Sequence, residues 1–100
     1  MTTVYKFKAS PTPATGDWSD NTENIIGDMG QQIYVKATTS TTVFDVVITN
    51  SDDIEVRKFT DVTGVLNDLT PFPMSGIHTV AIENATVDEE FKVRLCVFER

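Results

Sequence analysis

Few residues in this chain have the chemistry to catalyse anything. His78 is the single histidine and Cys96 the single cysteine. A histidine within hydrogen-bond reach of a substrate can act as a general base, and a low-pKa thiolate can act as a nucleophile. Each needs neighbours that tune it, and the sequence around His78 and Cys96 supplies none that can be recognised. One histidine excludes a cluster of histidine metal ligands, and one cysteine excludes an intramolecular disulfide. His78 therefore reads as a strand residue packed at a sheet edge, and Cys96 as an inert, half-buried thiol. No catalytic residue, metal or cofactor is expected, and the chain is expected not to be an enzyme.

Three other groups invite a chemical reading. Asp52-Asp53-Glu55 and Asp88-Glu89-Glu90 are rich in oxygen, the ligand that Ca²⁺ requires six to eight of. Neither has the spacing or the glycine of an EF-hand loop, so solvated turns are the expectation. Asn84-Ala85-Thr86 fits the glycosylation pattern, but with no secretory signal Asn84 reads as the start of a turn. Trp18 has Asp17, Asp20, Asn21 and Asn24 around it. An aromatic face with amide and carboxylate neighbours can hold a pyranose ring, so Trp18, together with Tyr34, is a candidate carbohydrate site. The plainer alternative is that Trp18 pins the N-terminal segment onto a sheet, burying a large area at low entropy cost.

Composition narrows the partners. The chain has 15 acidic and 8 basic residues, a formal charge of −7. Phosphate recognition needs clustered Lys and Arg, whereas Lys6, Lys8, Lys36, Arg57, Lys58, Lys92, Arg94 and Arg100 are spread along the sequence. No nucleic-acid partner is expected. No apolar run approaches the roughly 20 residues of a membrane span, and the first residues lack the apolar core of a signal peptide. Synthesis in a reducing compartment, with no membrane partner, is the expectation.

The elements that must position these residues follow a period of two. Val4 to Lys8 sets Tyr5 and Phe7 against Lys6 and Lys8. Ala9 to Gly30 breaks the alternation and begins with an extended Pro-rich loop; Asp20 and Glu23 are spaced to cap one helical turn through Ile25 and Ile26. From Gln31 the pattern is firm. Ile33, Val35 and Ala37 oppose Tyr34 and Lys36; Phe44, Val46 and Ile48 oppose Asp45; Ile54 and Val56 oppose Glu55 and Arg57. Val62 to Leu66 reads as a short strand, and Asp68 to Gly76 as a loop or edge passage. His78, Val80 and Ile82 share a face, as do Phe91, Val93, Leu95 and Val97, with Lys92 and Arg94 opposite. The whole predicts one domain over residues 1–100, with an N-terminal strand and long loop in 1–30 and the core in 31–100. It is an all-β, antiparallel, jelly-roll-like sandwich of about seven strands.

The Asn50-Ser51-Asp52-Asp53 turn sets a register. A five-residue connection pairs Ile48 with Ile54, Val46 with Val56 and Asp45 with Arg57, keeping the apolar face whole and matching opposite charges.

Two stretches carry a family resemblance: Ser-Thr-Thr-Val-Phe-Asp-Val-Val-Ile-Thr-Asn-Ser-Asp-Asp at 40–53, and Ser-Gly-Ile-His-Thr-Val-Ala-Ile-Glu-Asn-Ala-Thr-Val-Asp at 75–88, followed by Phe-Lys-Val-Arg-Leu. The chain from Gln31 onward resembles small β-sandwich structural proteins in the virions of tailed bacteriophages, and Trp18 lies outside the match. Asp88-Glu89-Glu90 stands where these proteins usually carry a glycine. The resemblance implies a non-enzymatic virion component, a capsid decoration or cement protein binding the major capsid protein or itself, as a homo-oligomer such as a trimer. A tail or neck position in the particle, and a carbohydrate-binding module, are the alternatives. The Pro-rich Ala9–Asp17 segment is then a candidate arm to a neighbouring subunit.

Overall fold

A computed structural model describes residues 2–10, 16–87 and 89–99. They form nine strands and no helix: β1 (Thr2–Ala9), β2 (Trp18–Asn21), β3 (Gly27–Ala37), β4 (Val43–Thr49), β5 (Glu55–Thr63), β6 (Val65–Asp68), β7 (Phe72–Pro73), β8 (Thr79–Glu83) and β9 (Phe91–Glu99). Sheet one has the order β1-β9-β3-β6, with β7 also on β3; sheet two has the order β2-β8-β4-β5. All pairings are antiparallel.

The topology is one long hairpin folded on itself. β4 pairs β5, β3 pairs β6, β2 pairs β8 and β1 pairs β9, each pair nested inside the next. Rolling this ribbon brings β9 against β3 and β8 against β4. That is a jelly roll, as the alternation predicted. The two strands beyond the expected seven are β2 and β7, both too short to show a period.

Alternation places one apolar phase of each strand between the sheets. Ile33, Val35, Phe91, Val93, Leu95 and Val97 from sheet one meet Phe44, Val46, Ile48, Val80 and Ile82 from sheet two, all buried. Phe44 and Phe91 pack edge to face at 4.9 Å, joining the sheets. The chain crosses from sheet two to sheet one at Gly64, which splits the expected Val62–Leu66 strand between β5 and β6. Its φ is +74°, and a Cβ there would stand 2.5 Å from the Ser40 carbonyl oxygen. Glycine is required on both counts.

The helical turn expected near Ile25 is absent. Trp18–Asn21 pairs instead with β8, and Ile25 bridges Gly76. Asp20 accepts the Asn21 N–H at 2.8 Å rather than capping a helix. Pairing at a sheet edge and burial of Ile25 outweigh a weak local signal. The loop between β1 and β2 spans 10–17; within the expected arm Ala9–Asp17, residues 11–15 lie outside the described residues.

The β4–β5 register also differs from expectation. Ile48 faces Arg57 and Val46 faces Phe59, with bulges between Phe44 and Val46 and between Ile48 and Thr49. The cause is the turn. Asn50 Oδ1 accepts the N–H groups of Asp52 (2.9 Å) and Ile54 (3.1 Å), and the Asn50 N–H donates to the Ile54 carbonyl. This draws Ile54 out of the strand, where it is 58% exposed. The bulges then return Val56, Phe59 and Val62 to the core side. Asp45 and Arg57 do not pair. Arg57 instead donates to Asp68 Oδ2 at 2.7 Å and lies over the Phe59 and Phe72 rings at 5.1 and 5.7 Å, linking β5 to the β6–β7 edge.

Candidate functional site

His78 is 2% exposed, deeper than an edge position. Its backbone N–H donates to Thr22 Oγ1 at 3.0 Å, and Nδ1 lies 3.3 Å from the Gly76 carbonyl. Burial holds its pKa below the ordinary 6.5, against an opposing contribution from Gly76. Cys96 is also buried; its thiol donates to Gln32 Oε1 at 3.4 Å. Both are packed structural groups. Among the described residues no three His, Cys, Asp or Glu side chains gather to hold a metal ion.

Trp18 lies opposite Ile82 and turns its ring toward Phe7 of the other sheet, edge to face at 5.8 Å. Its polar neighbours are engaged within the fold. Asp17 accepts the Asn84 N–H, and Asn21 accepts from Thr79 Oγ1. Tyr34 lies in β3 on the outer face of sheet one. The structure therefore does not bring Trp18 and Tyr34 to one surface.

Of the acidic run Asp88-Glu89-Glu90, Asp88 lies outside the described residues and Glu90 is exposed, while the Glu89 side chain acts as a clamp. Glu89 accepts from the Thr39 N–H (3.2 Å), Thr39 Oγ1 (2.8 Å) and Thr42 Oγ1 (2.7 Å), and Thr38 Oγ1 donates to the Glu90 carbonyl at 2.6 Å. Burial pushes the Glu89 carboxyl up, but the bonds from Thr42 and Thr39 prevail and hold it below the usual range. The β3–β4 turn is thereby tied to the start of β9.

Around Tyr34 the structure assembles what the linear sequence scatters. Residues directly opposite in paired strands share a face. Lys6, Arg94, Tyr34 and Asn67 form one row across β1, β9, β3 and β6; Lys8, Lys92, Lys36 and Val65 form the next. Five of the eight basic residues thus occupy two adjacent rows, with neighbours about 4.8 Å apart between strands. All five are exposed, and no carboxylate stands in either row. The ion pairs among the described residues are Arg57–Asp68 and Lys58–Glu55, so none draws on these five cations. A groove of about 420 Å³ runs over the rows, lined by Lys6, Lys8, Tyr34, Lys92 and Arg94.

Sequence reasoning treated these cations as dispersed. The signal was nevertheless present: Lys6/Lys8 and Lys92/Arg94 are period-two pairs on the polar phase of their strands, and Tyr34/Lys36 completes a third.

The outer face of sheet two has the opposite sign. Asp45 in β4 lies directly across from Glu83 in β8, and the exposed Asp61 sits in the bulge of β5 beside Asp45. Asn84 Nδ2 donates to Asp45 Oδ2 at 3.0 Å and the Asp61 N–H to Asp45 Oδ1 at 2.9 Å. These bonds, the one from Asn84 foremost, together with the charge of nearby Lys58, hold the Asp45 carboxyl below its usual range against a small effect of burial.

No protein-family model matches the chain, and no curated protein is similar to it in sequence. Solved structures share its fold. The Drosophila NLP core, from a structure concerned with pentamer formation and histone binding, superposes with a TM-score of 0.56 at 11% identity over 99% of this chain and 98% of that one. The VP2 subviral particle of infectious bursal disease virus matches with a TM-score of 0.50 at 13% identity; 99% of this chain covers 33% of VP2, about a third of that protein's length. A CBM36-1 domain of a xylanase from the hindgut metagenome of Trinervitermes trinervoides gives 0.50 at 6% identity over 100% and 98% of the two chains. At such identities the likeness shows a common β-sandwich architecture, found in a viral capsid protein and in a carbohydrate-binding module alike.

Proposed function

We propose that this protein is a non-enzymatic structural component of a bacteriophage virion, a decoration-type subunit that attaches to an acidic protein surface through the outer face of sheet one. The observation that carries this reading is the pair of basic rows. Cations placed directly opposite one another destabilise a sheet, and acidic residues are abundant enough to have relieved them. Two adjacent rows that keep five cations together with no carboxylate in either, and only Glu90 at their margin, suit a complementary surface.

Other features support the reading. The two residues best suited to catalysis, His78 and Cys96, are buried and hydrogen-bonded. The fold is one that a viral capsid protein also uses.

The test is co-purification. The chain is expected in gradient-purified particles, on the shell rather than the tail or neck in labelled micrographs, and charge reversal of Lys8 and Lys92 is expected to strip it. Absence from purified particles overturns the proposal, as does full retention of the reversed variant.

A further inference from the structure

We propose that the basic rows on sheet one receive the acidic outer face of sheet two of a second copy, so that the protein associates head to tail. The inference deepens the proposed function by naming the partner of the same face.

Three observations carry it. First, the two faces are opposite in sign and alike in layout. Lys8, Lys92 and Lys36 stand side by side on three adjacent strands of sheet one. Glu83, Asp45 and Asp61 belong to three adjacent strands of sheet two. Strand spacing is the same in every sheet, so the directly opposed pair Asp45–Glu83 repeats the interval of the cation row, with Asp61 beside it in the bulge of β5. A flexible polyanion has no reason to match that interval.

Second, each row is locally unfavourable within its own subunit. Lys8 and Lys36 flank Lys92 directly, and Asp45 faces Glu83, a repulsion that the nearby Lys58 offsets only in part. Exchanging one charge between the rows would relieve both within the monomer. Docking relieves both at once without any exchange.

Third, the central carboxylate of the acidic row is held in position. The Asp45 carboxylate accepts the Asn84 amide and the Asp61 N–H, which fixes its orientation before any partner arrives.

The contact uses two different patches and is heterologous. The patches lie on opposite outer faces of the sandwich, so successive copies extend a column instead of closing a two-fold dimer. A charge of −7 on every copy opposes the association, so it depends on the local match of the rows.

Sedimentation velocity on the purified full chain tests the proposal, with Lys92→Glu and Glu83→Lys as variants. The parent is expected to form concentration-dependent oligomers at about 20 mM salt and to dissociate at about 500 mM, where the screening length is a few ångströms. Each variant alone is expected to associate at least tenfold more weakly. An equimolar mixture is expected to recover association, because each variant brings the intact face that the other lacks. Thermal stability separates docking from misfolding. Each substitution removes a like-charge contact within the monomer, so melting temperature is expected to hold or rise while association falls; a folding defect lowers both.

A parent that stays monomeric to about 1 mM at low salt overturns the inference. So does a mixture that fails to recover. A monomer that binds purified shells overturns self-docking and leaves the virion reading standing; a self-associating chain absent from particles does the reverse. A monomer retained on heparin or nucleic acid through Lys92 assigns the face to a polyanion and overturns the inference.

Discussion

The turn end of the sandwich and the outer face of sheet one treat charge in opposite ways. At the turn end Glu89 is committed to the fold, accepting three hydrogen bonds from Thr39 and Thr42. On sheet one the five cations have no ion-pair partner among the described residues and crowd one another. The difference separates a charge that ties the fold together from charges that no ion pair among the described residues engages. Substitution is therefore expected to act with opposite sign at the two places.

Glu89→Ala is expected to have the largest effect. It strips the acceptor from Thr42, whose side chain is buried, and releases the β3–β4 turn from β9. An orphaned buried donor together with the lost bonds costs about 2–3 kcal/mol, to be read from the midpoint of urea unfolding; an unchanged midpoint means the clamp is incidental. Arg57→Ala comes next. It removes a charge-assisted bond to a partly buried Asp68 and two ring contacts, a loss of about 1–2 kcal/mol, and this loss is expected to persist at a salt concentration that dissolves exposed pairs.

The pH response sharpens the same contrast. The folded-state pKa of His78 is depressed, so the unfolded chain takes up that proton first. The stability that neutral His78 supplies is complete above about pH 6.5 and is lost as pH falls through the folded value. Asp45 and Glu89 are also depressed, but from carboxylate values, so their contribution persists until about pH 4 and is lost below it. The melting temperature is expected to fall in two stages on acidification. His78→Asn is expected to abolish the first stage alone; a wild-type melting temperature flat from about pH 8 to pH 5 would contradict the assignment. The smallest expected effect is a gain. Lys92→Glu exchanges two repulsive cross-strand neighbours for attractive ones and is expected to stabilise the monomer by about 0.5 kcal/mol, measured by calorimetry at low salt.

Much of the architecture was legible in the sequence because four strands keep one apolar phase throughout, although Val47 and Cys96 are buried on the other. β3 from Gln31 on, β4, β8 and β9 each present the buried phase that period two implies, and His78, Val80 and Ile82 line up as expected. What escaped has specific causes. β2 is four residues long and mostly polar, and its pairing with β8 lies some sixty residues away in sequence. The β4–β5 register turned on two bulges, whose trace in the sequence is the three-residue spacing of Val56, Phe59 and Val62 in place of an alternation. Asp45 accordingly went to Asn84 and Asp61, and Arg57 to Asp68. The basic face was hidden by distance along the chain, since Lys8 and Lys92 become neighbours only once β1 and β9 pair.

The nested pairing of the strands has a consequence in time. β4 and β5 close over a short turn, whereas β9 must find β1 and β3 from the far end of the ribbon, and non-local pairing of this kind is slow. Until β9 slots between them, β1 and β3 expose unpaired edges, and sheet one lacks its middle. Lys92 and Arg94 ride in on that strand and occupy the centre of both basic rows. A half-folded chain therefore presents no completed cationic surface. On the docking role proposed for that face, a partner finds the basic rows complete only once β9 has paired with both β1 and β3.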